Sequence, residues 1–164
     1  MPGSFLVRPA GAIVDECTER RTYVASHVFA LVEMGRQMGF APQSQEKAEF
    51  AFKSAIAGLD SMRRAGVKVC YGTDLLGSTY TMQCREFTLR SEVFTPVELL
   101  RQATSVPAEM MMMVEQIGCI APGAQADLLV VDGDPLRDIS LLAGSGRHLS
   151  VIVRGGVVVK NEVR

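Results

Sequence analysis

The stretch QEKAEFAFKSAIAGLDSMRR at 45–64 constrains the fold more than any other. It sets Ala48, Ala51, Phe52, Ala55, Ile56, Leu59 and Met62 at steps of three and four residues, which puts them on one face of an amphipathic helix, with Ser44 available as its N-cap. Ala65-Gly66 supplies a stop, and VKVCY at 67–71 follows at once as a short strand. A helix that feeds directly into a strand points to an α/β arrangement, and the strand's carboxyl end runs into GTDLLG at 72–77. Upstream, TYVASHVFALV at 22–32 begins with β-branched and aromatic residues, so a strand there completes a βαβ unit; its boundary after Ser26 stays open.

Downstream the texture changes. Thr95-Pro96-Val97-Glu98 reads as a capping box with proline at the first helical position, opening a helix through LLRQAT. Pro107 is expected to start a second helix through the methionine run. From Gly118 the pattern turns to β, in CIAPG, ADLLVVDGD and VIVRGGVVVK, where Gly155-Gly156 suits a tight hairpin. LLAGSGRHLS at 141–150 reads as a surface loop between the β pieces.

Charge narrows the partners. With 17 basic and 18 acidic residues in 164, no basic stripe offers itself to nucleic acid or to an anionic membrane surface. No apolar run reaches the length that spans a bilayer, and the amino terminus lacks a basic segment followed by a sustained apolar one. The expectation is a soluble, cytoplasmic chain. Cys17, Cys70, Cys84 and Cys119 are scattered and form no CxxC pair, which argues for free thiols over a zinc knuckle or a disulfide framework.

Asp74 is the leading functional candidate, because a carboxylate just beyond the end of a parallel strand lies where α/β proteins build their sites. An Asx-turn or helix-capping role competes with that reading. His27 and His148 are the only imidazoles, and no HxH or HExxH pair exists, so each reads more readily as a hydrogen-bonding residue than as a metal ligand. Met110 to Met113 occupy consecutive positions and would face all sides of a helix, which favours core filling over a ligand-binding surface. Arg85-Glu86-Phe87 could anchor a substrate as Arg85 and Glu86 close over a site, or could form an ordinary surface ion pair. Nucleophile-elbow, P-loop and dinucleotide-binding patterns are all missing.

Taken in order, AGVKVCYGTDLLG, QCREF, TPVELLRQAT, PAE, IGCIAPGAQADLLVVDGDPLRDI and VIVRGGVVV resemble the carboxyl-terminal part of the metal-dependent amidohydrolases. The resemblance is greatest to the Xaa-Pro dipeptidase and imidazolonepropionase-like branch. It implies a (β/α)8 barrel flanked by a small β-sandwich. Residues 23–28 would then lie near strand seven, 45–64 would be helix seven, VKVCY strand eight, and Asp127 onward the sandwich portion. Asp74 matches the strand-eight aspartate, which in that family binds the metal, typically zinc, and shuttles a proton between attacking water and leaving amine.

The resemblance also implies donors that are not in this sequence. The family's HxH, its bridging lysine or glutamate and its strand-five histidine would precede residue 1, and the strand-six histidine would fall near Pro9-Ala10-Gly11. A full barrel takes roughly 250 residues. The expectation is therefore an α/β partial TIM-type barrel segment, the last two strand-helix units, at 23–117, a small β-sandwich portion at 118–164, and a segment 1–22 of uncertain origin. Such a chain would hydrolyse amide bonds of a small peptide-like substrate only when complemented by an amino-terminal chain. Otherwise it would persist as a noncatalytic remnant, as a homo-oligomer or an interaction module.

Overall fold

The structure is a computed structural model that describes residues 10–26, 39, 41–75 and 77–163. Its body is a βαβ unit. Strand β1 (Tyr23–Ser26) and strand β2 (Lys68–Tyr71) pair in parallel, Tyr23 opposite Lys68 and Ser26 opposite Tyr71, and helix α2 (Pro42–Arg64) makes the crossover. Helix α1 (Ala10–Glu19) precedes the unit and runs against α2.

Helix α2 starts three residues before the expected point. Ser44 is not its N-cap: Ala41 holds that position with no side-chain bond, and Pro42 occupies the first turn, where its missing N–H costs nothing and its fixed φ suits the helix. The stop at Ala65-Gly66 is a Schellman closure. Gly66, at φ +71°, donates to the Arg63 carbonyl, and Val67 donates to that of Met62 at 3.0 Å. Along the expected stripe, Phe52, Ala55, Ile56, Leu59 and Met62 pack into the main core, with Val69 of β2 and Leu99, Phe94 and Ile139 from later elements. Phe50 lies off the stripe and is 74% exposed.

After β2 come a 3-10 helix (Gly77–Arg85), the short helix α3 (Glu86–Arg90) and helix α4 (Pro96–Ala103). The capping box forms as expected. Thr95 donates its backbone N–H to Glu98 at 2.8 Å while its hydroxyl accepts from the Glu98 N–H, and Arg63 of α2 donates to the same carboxylate at 3.0 Å. Burial works against the Glu98 charge, but these bonds outweigh it and hold the carboxyl below its usual range.

Helix α5 (Ser105–Met110) departs from expectation at both ends. Pro107 sits inside its first turn rather than opening it, and the methionine run is mostly not helical. Met112 adopts φ +57° and takes the place that Gly66 fills in α2: it donates to Glu109, and Met113 donates to Ala108 at 2.8 Å. Met112 is 87% exposed, so the run is not the core filling that helical spacing suggested.

The carboxyl-terminal sheet holds β3 (Leu128–Val131), β4 (Leu149–Arg154) and β5 (Val157–Asn161) in antiparallel order β3-β4-β5. Gly155 and Gly156, both at positive φ, turn the β4-β5 hairpin as the sequence suggested. CIAPG is not a strand. Gly118 at φ +68° and Gly123 at φ +88° bend the chain there, and Gly118 presses so close to α4 that a Cβ would lie 2.4 Å from the Thr104 carbonyl oxygen. Among the described residues this sheet is a single layer, so the sandwich implied by the resemblance is not completed within it. Leu129, Val130, Val157, Val158 and Val159 are exposed. The 3-10 helix Ile139–Leu142 sends Ile139 and Leu142 into the main core, which ties this portion to the βαβ body. No helix of the described residues is long and apolar enough to cross a membrane.

Candidate functional site

Strand β2 delivers residues 72–75 at its carboxyl end, as its position in the βαβ unit requires. Leu75 is buried against Met82 and Leu89, and this anchors the loop from below. Asp74, one residue earlier, is exposed and adopts φ +51°. A non-glycine residue pays about 1–2 kcal/mol for that conformation, with aspartate among the few that visit it routinely. Such strain gathers at sites whose surroundings fix the backbone.

The surroundings here are built from β2, α3 and α4. Glu86 and Arg90, one turn apart on α3, are both 0% exposed, and Arg90 Nε donates to Glu86 Oε1 at 2.9 Å. Arg90 Nη1 donates to the Cys70 carbonyl at 3.1 Å and to Gln102 Oε1 at 2.9 Å, and Nη2 donates to the Gly72 carbonyl at 3.3 Å. The guanidinium also lies 5.2 Å from the centre of the Tyr71 ring. Tyr71 is held in turn by Phe87, ring centres 4.4 Å apart, and donates its hydroxyl to the Gln83 carbonyl at 2.8 Å. Burial pushes the Tyr71 phenol far above its usual range, so it remains a hydrogen-bond donor at any ordinary pH.

The structure separates the two residues expected to act as one anchor. Arg85 ends the 3-10 helix, is exposed, and lines a cleft of about 490 Å³ together with Thr81, Met82, Thr88, Leu89 and Arg147. Glu86 turns inward to Arg90, so it is not the surface partner of Arg85. His148 is half-buried in the loop before β4, where its charge is one of the lesser influences lowering the Asp138 carboxyl; the bonds from Ser140 are larger. His27 lies outside the described residues. Cys70, buried in β2, sits 3.7 Å from the Met110 sulfur, and all four cysteines are free thiols.

Among the described residues, no three or more His, Cys, Asp or Glu side chains converge to hold a metal ion. The donor set therefore does not fit a transition-metal centre by itself, since such centres take three or four protein ligands. Sequence reasoning missed Arg90, Gln102 and Tyr71. The one available signal was the four-residue spacing of Glu86 and Arg90, which marks an intrahelical pair and does not reveal that the pair is buried.

The model of the amidohydrolase family matches residues 19–158. The chain belongs to the amidohydrolase family. A solved amidohydrolase superposes with a TM-score of 0.84 and 36% identity, over 93% of this chain and 38% of that one. A prolidase solved with N-methylphosphonate-L-proline gives 0.82 and 37%, over 92% of this chain and 38% of the other. A 5-methylthioadenosine/S-adenosylhomocysteine deaminase of Symbiobacterium thermophilum is 30% identical over 152 residues, taking in 80% of this chain and 34% of the relative. The chain thus spans a little over a third of the length of these proteins.

Proposed function

We propose that this chain supplies the carboxyl-terminal part of a metal-dependent hydrolase that cleaves amide, peptide-like carbon-nitrogen bonds, and that Asp74 is its reacting carboxylate. The observation that carries the reading is the placement of Asp74: past the end of a parallel strand, in a left-handed conformation, on a strand exit fixed by buried side chains. The likeness to a prolidase supports a peptide-like substrate. Asp74 takes a proton from the attacking water and returns it to the leaving amine. The divalent metal, zinc in the first instance, supplies activation of that water when bound. Among the described residues this reading assigns Asp74 to such a centre, and the centre's other donors come from outside them. Arg85, in its cleft beside Leu89, faces the substrate, whereas Glu86 is buried against Arg90.

A second reading, a noncatalytic remnant that persists as an oligomer or interaction module, draws on the absence of a metal cluster among the described residues and on the exposed valines of β5. The two readings separate in one experiment. The chain is combined with a complementing chain that carries the HxH and histidine donors, and release of free amine from Xaa-Pro dipeptides is followed. The hydrolase reading expects turnover that Asp74→Ala abolishes. Turnover that survives this substitution, or none with any complement, rejects it.

A further inference from the structure

We infer that Arg90 is a positioning residue that sets the backbone presenting Asp74, with Glu86 and Gln102 fixing its guanidinium in place. This rests on the reading of Asp74 as the reacting carboxylate. Alternate carbonyls along a strand point to the same side, so Cys70 and Gly72 form a pair of acceptors at the end of β2. Arg90 takes both, one from each terminal nitrogen, and Gly72 is two residues before Asp74. The planar guanidinium fork reaches both carbonyls at once and still leaves Nε for Glu86; a lysine ammonium has no such geometry.

Burial makes the arrangement specific. At 0% exposure an arginine has no water to turn to, so it holds one orientation, the one in which the Glu86 carboxylate, the Gln102 amide oxygen and the two carbonyls all accept from it. Gln102, itself buried on α4, carries the fixing to a second helix. Two helices thereby grip the strand exit, and the left-handed φ of Asp74 follows from a backbone pinned at Gly72 on one side and at buried Leu75 on the other. A carboxylate meant for proton transfer needs such placement, because an error of about 1 Å in its position costs on the order of 100-fold in rate.

The test uses Arg90→Lys and Gln102→Met. Amide resonances of residues 72–74 are recorded for the purified chain, with the methyl resonances of Leu59, Val69 and Leu99 as markers of the core. Hydrolysis is measured in the complemented assembly. The expected result is unmoved core methyls, shifted amides at 72–74, and a kcat lowered about 100-fold by Arg90→Lys with KM unchanged. Amides that stay at their wild-type positions in both variants overturn the inference, as does movement of the core methyls to the same extent or loss of folding in both. If Arg90→Lys alone fails to fold, Gln102→Met decides by the same two readouts. Shifted amides in the variants, together with a wild-type assembly that hydrolyses nothing, would remove the hydrolase reading and leave the backbone-positioning role standing. Wild-type turnover that Arg90→Lys leaves intact would remove the positioning role instead.

Discussion

Replacing Glu86 by Gln removes one charge from the interior. The side chain keeps its volume, so no cavity term arises, and its amide oxygen still accepts from Arg90 Nε, 2.9 Å away in the wild type. What remains is a guanidinium at 0% exposure whose described acceptors at Gln102, Cys70 and Gly72 are all neutral. Breaking a buried ion pair from one side costs about 3–5 kcal/mol, and the retained hydrogen bond places this case near the lower figure, about 3 kcal/mol. With a urea m-value of about 2 kcal/mol per M, the unfolding midpoint should fall by roughly 1.5 M at unchanged m. Arg64→Gln serves as the comparison. Its partner Asp60 lies 2.7 Å away on an exposed face of α2, so losing that pair should cost under about 0.5 kcal/mol. Equal midpoint shifts for the two substitutions, or a Glu86→Gln loss below about 1 kcal/mol, would refute the argument that the Glu86-Arg90 pair is a desolvated charge pair.

Gly118→Ala should destabilise the chain by about 1–3 kcal/mol from its left-handed φ alone, with more from the 2.4 Å approach to Thr104, measured by thermal or urea unfolding. Met112→Gly, at a helix end of the kind that Gly66 closes and 87% exposed, should instead stabilise by about 1 kcal/mol; a loss of stability would show that Met112 makes packing contacts of its own. Glu98 has a folded pKa below its ordinary value, so its contribution is fully present above that ordinary value and is lost as pH falls through the folded one. Glu98→Gln should therefore cost about 0.5 kcal/mol at neutral pH, the worth of a partly exposed ion pair, and nothing at the acid end, and a difference from wild type that is constant with pH would contradict this.

Local chemistry made part of this fold readable. The apolar spacing of α2 told which side chains enter the core, Gly66 told where the helix stops, Thr95 and Glu98 marked the start of α4, and Gly155-Gly156 marked the hairpin. Each of these signals lies within a few residues of the feature it specifies. The misreadings came where one backbone angle overruled the pattern around it. Met112 in a left-handed conformation ended α5 inside a run that suited a helix, and Gly118 and Gly123 bent a segment whose apolar residues suggested a strand. The candidate site was half legible. Asp74 followed from the direction of β2, but the buried network behind it joins Arg90 to carbonyls 18 and 20 residues earlier and to Gln102 on another helix. No local spacing encodes such contacts, and burial of both Glu86 and Arg90 is a property of the packed chain alone.

Metal content, determined by elemental analysis with and without the complementing chain, tests the central claim most directly. The account predicts well under one divalent metal ion per chain for the protein alone, occupancy in the complemented assembly, and loss of that occupancy on Asp74→Ala. A full complement of metal on the chain alone that Asp74→Ala leaves in place, or an assembly that holds none, would contradict it.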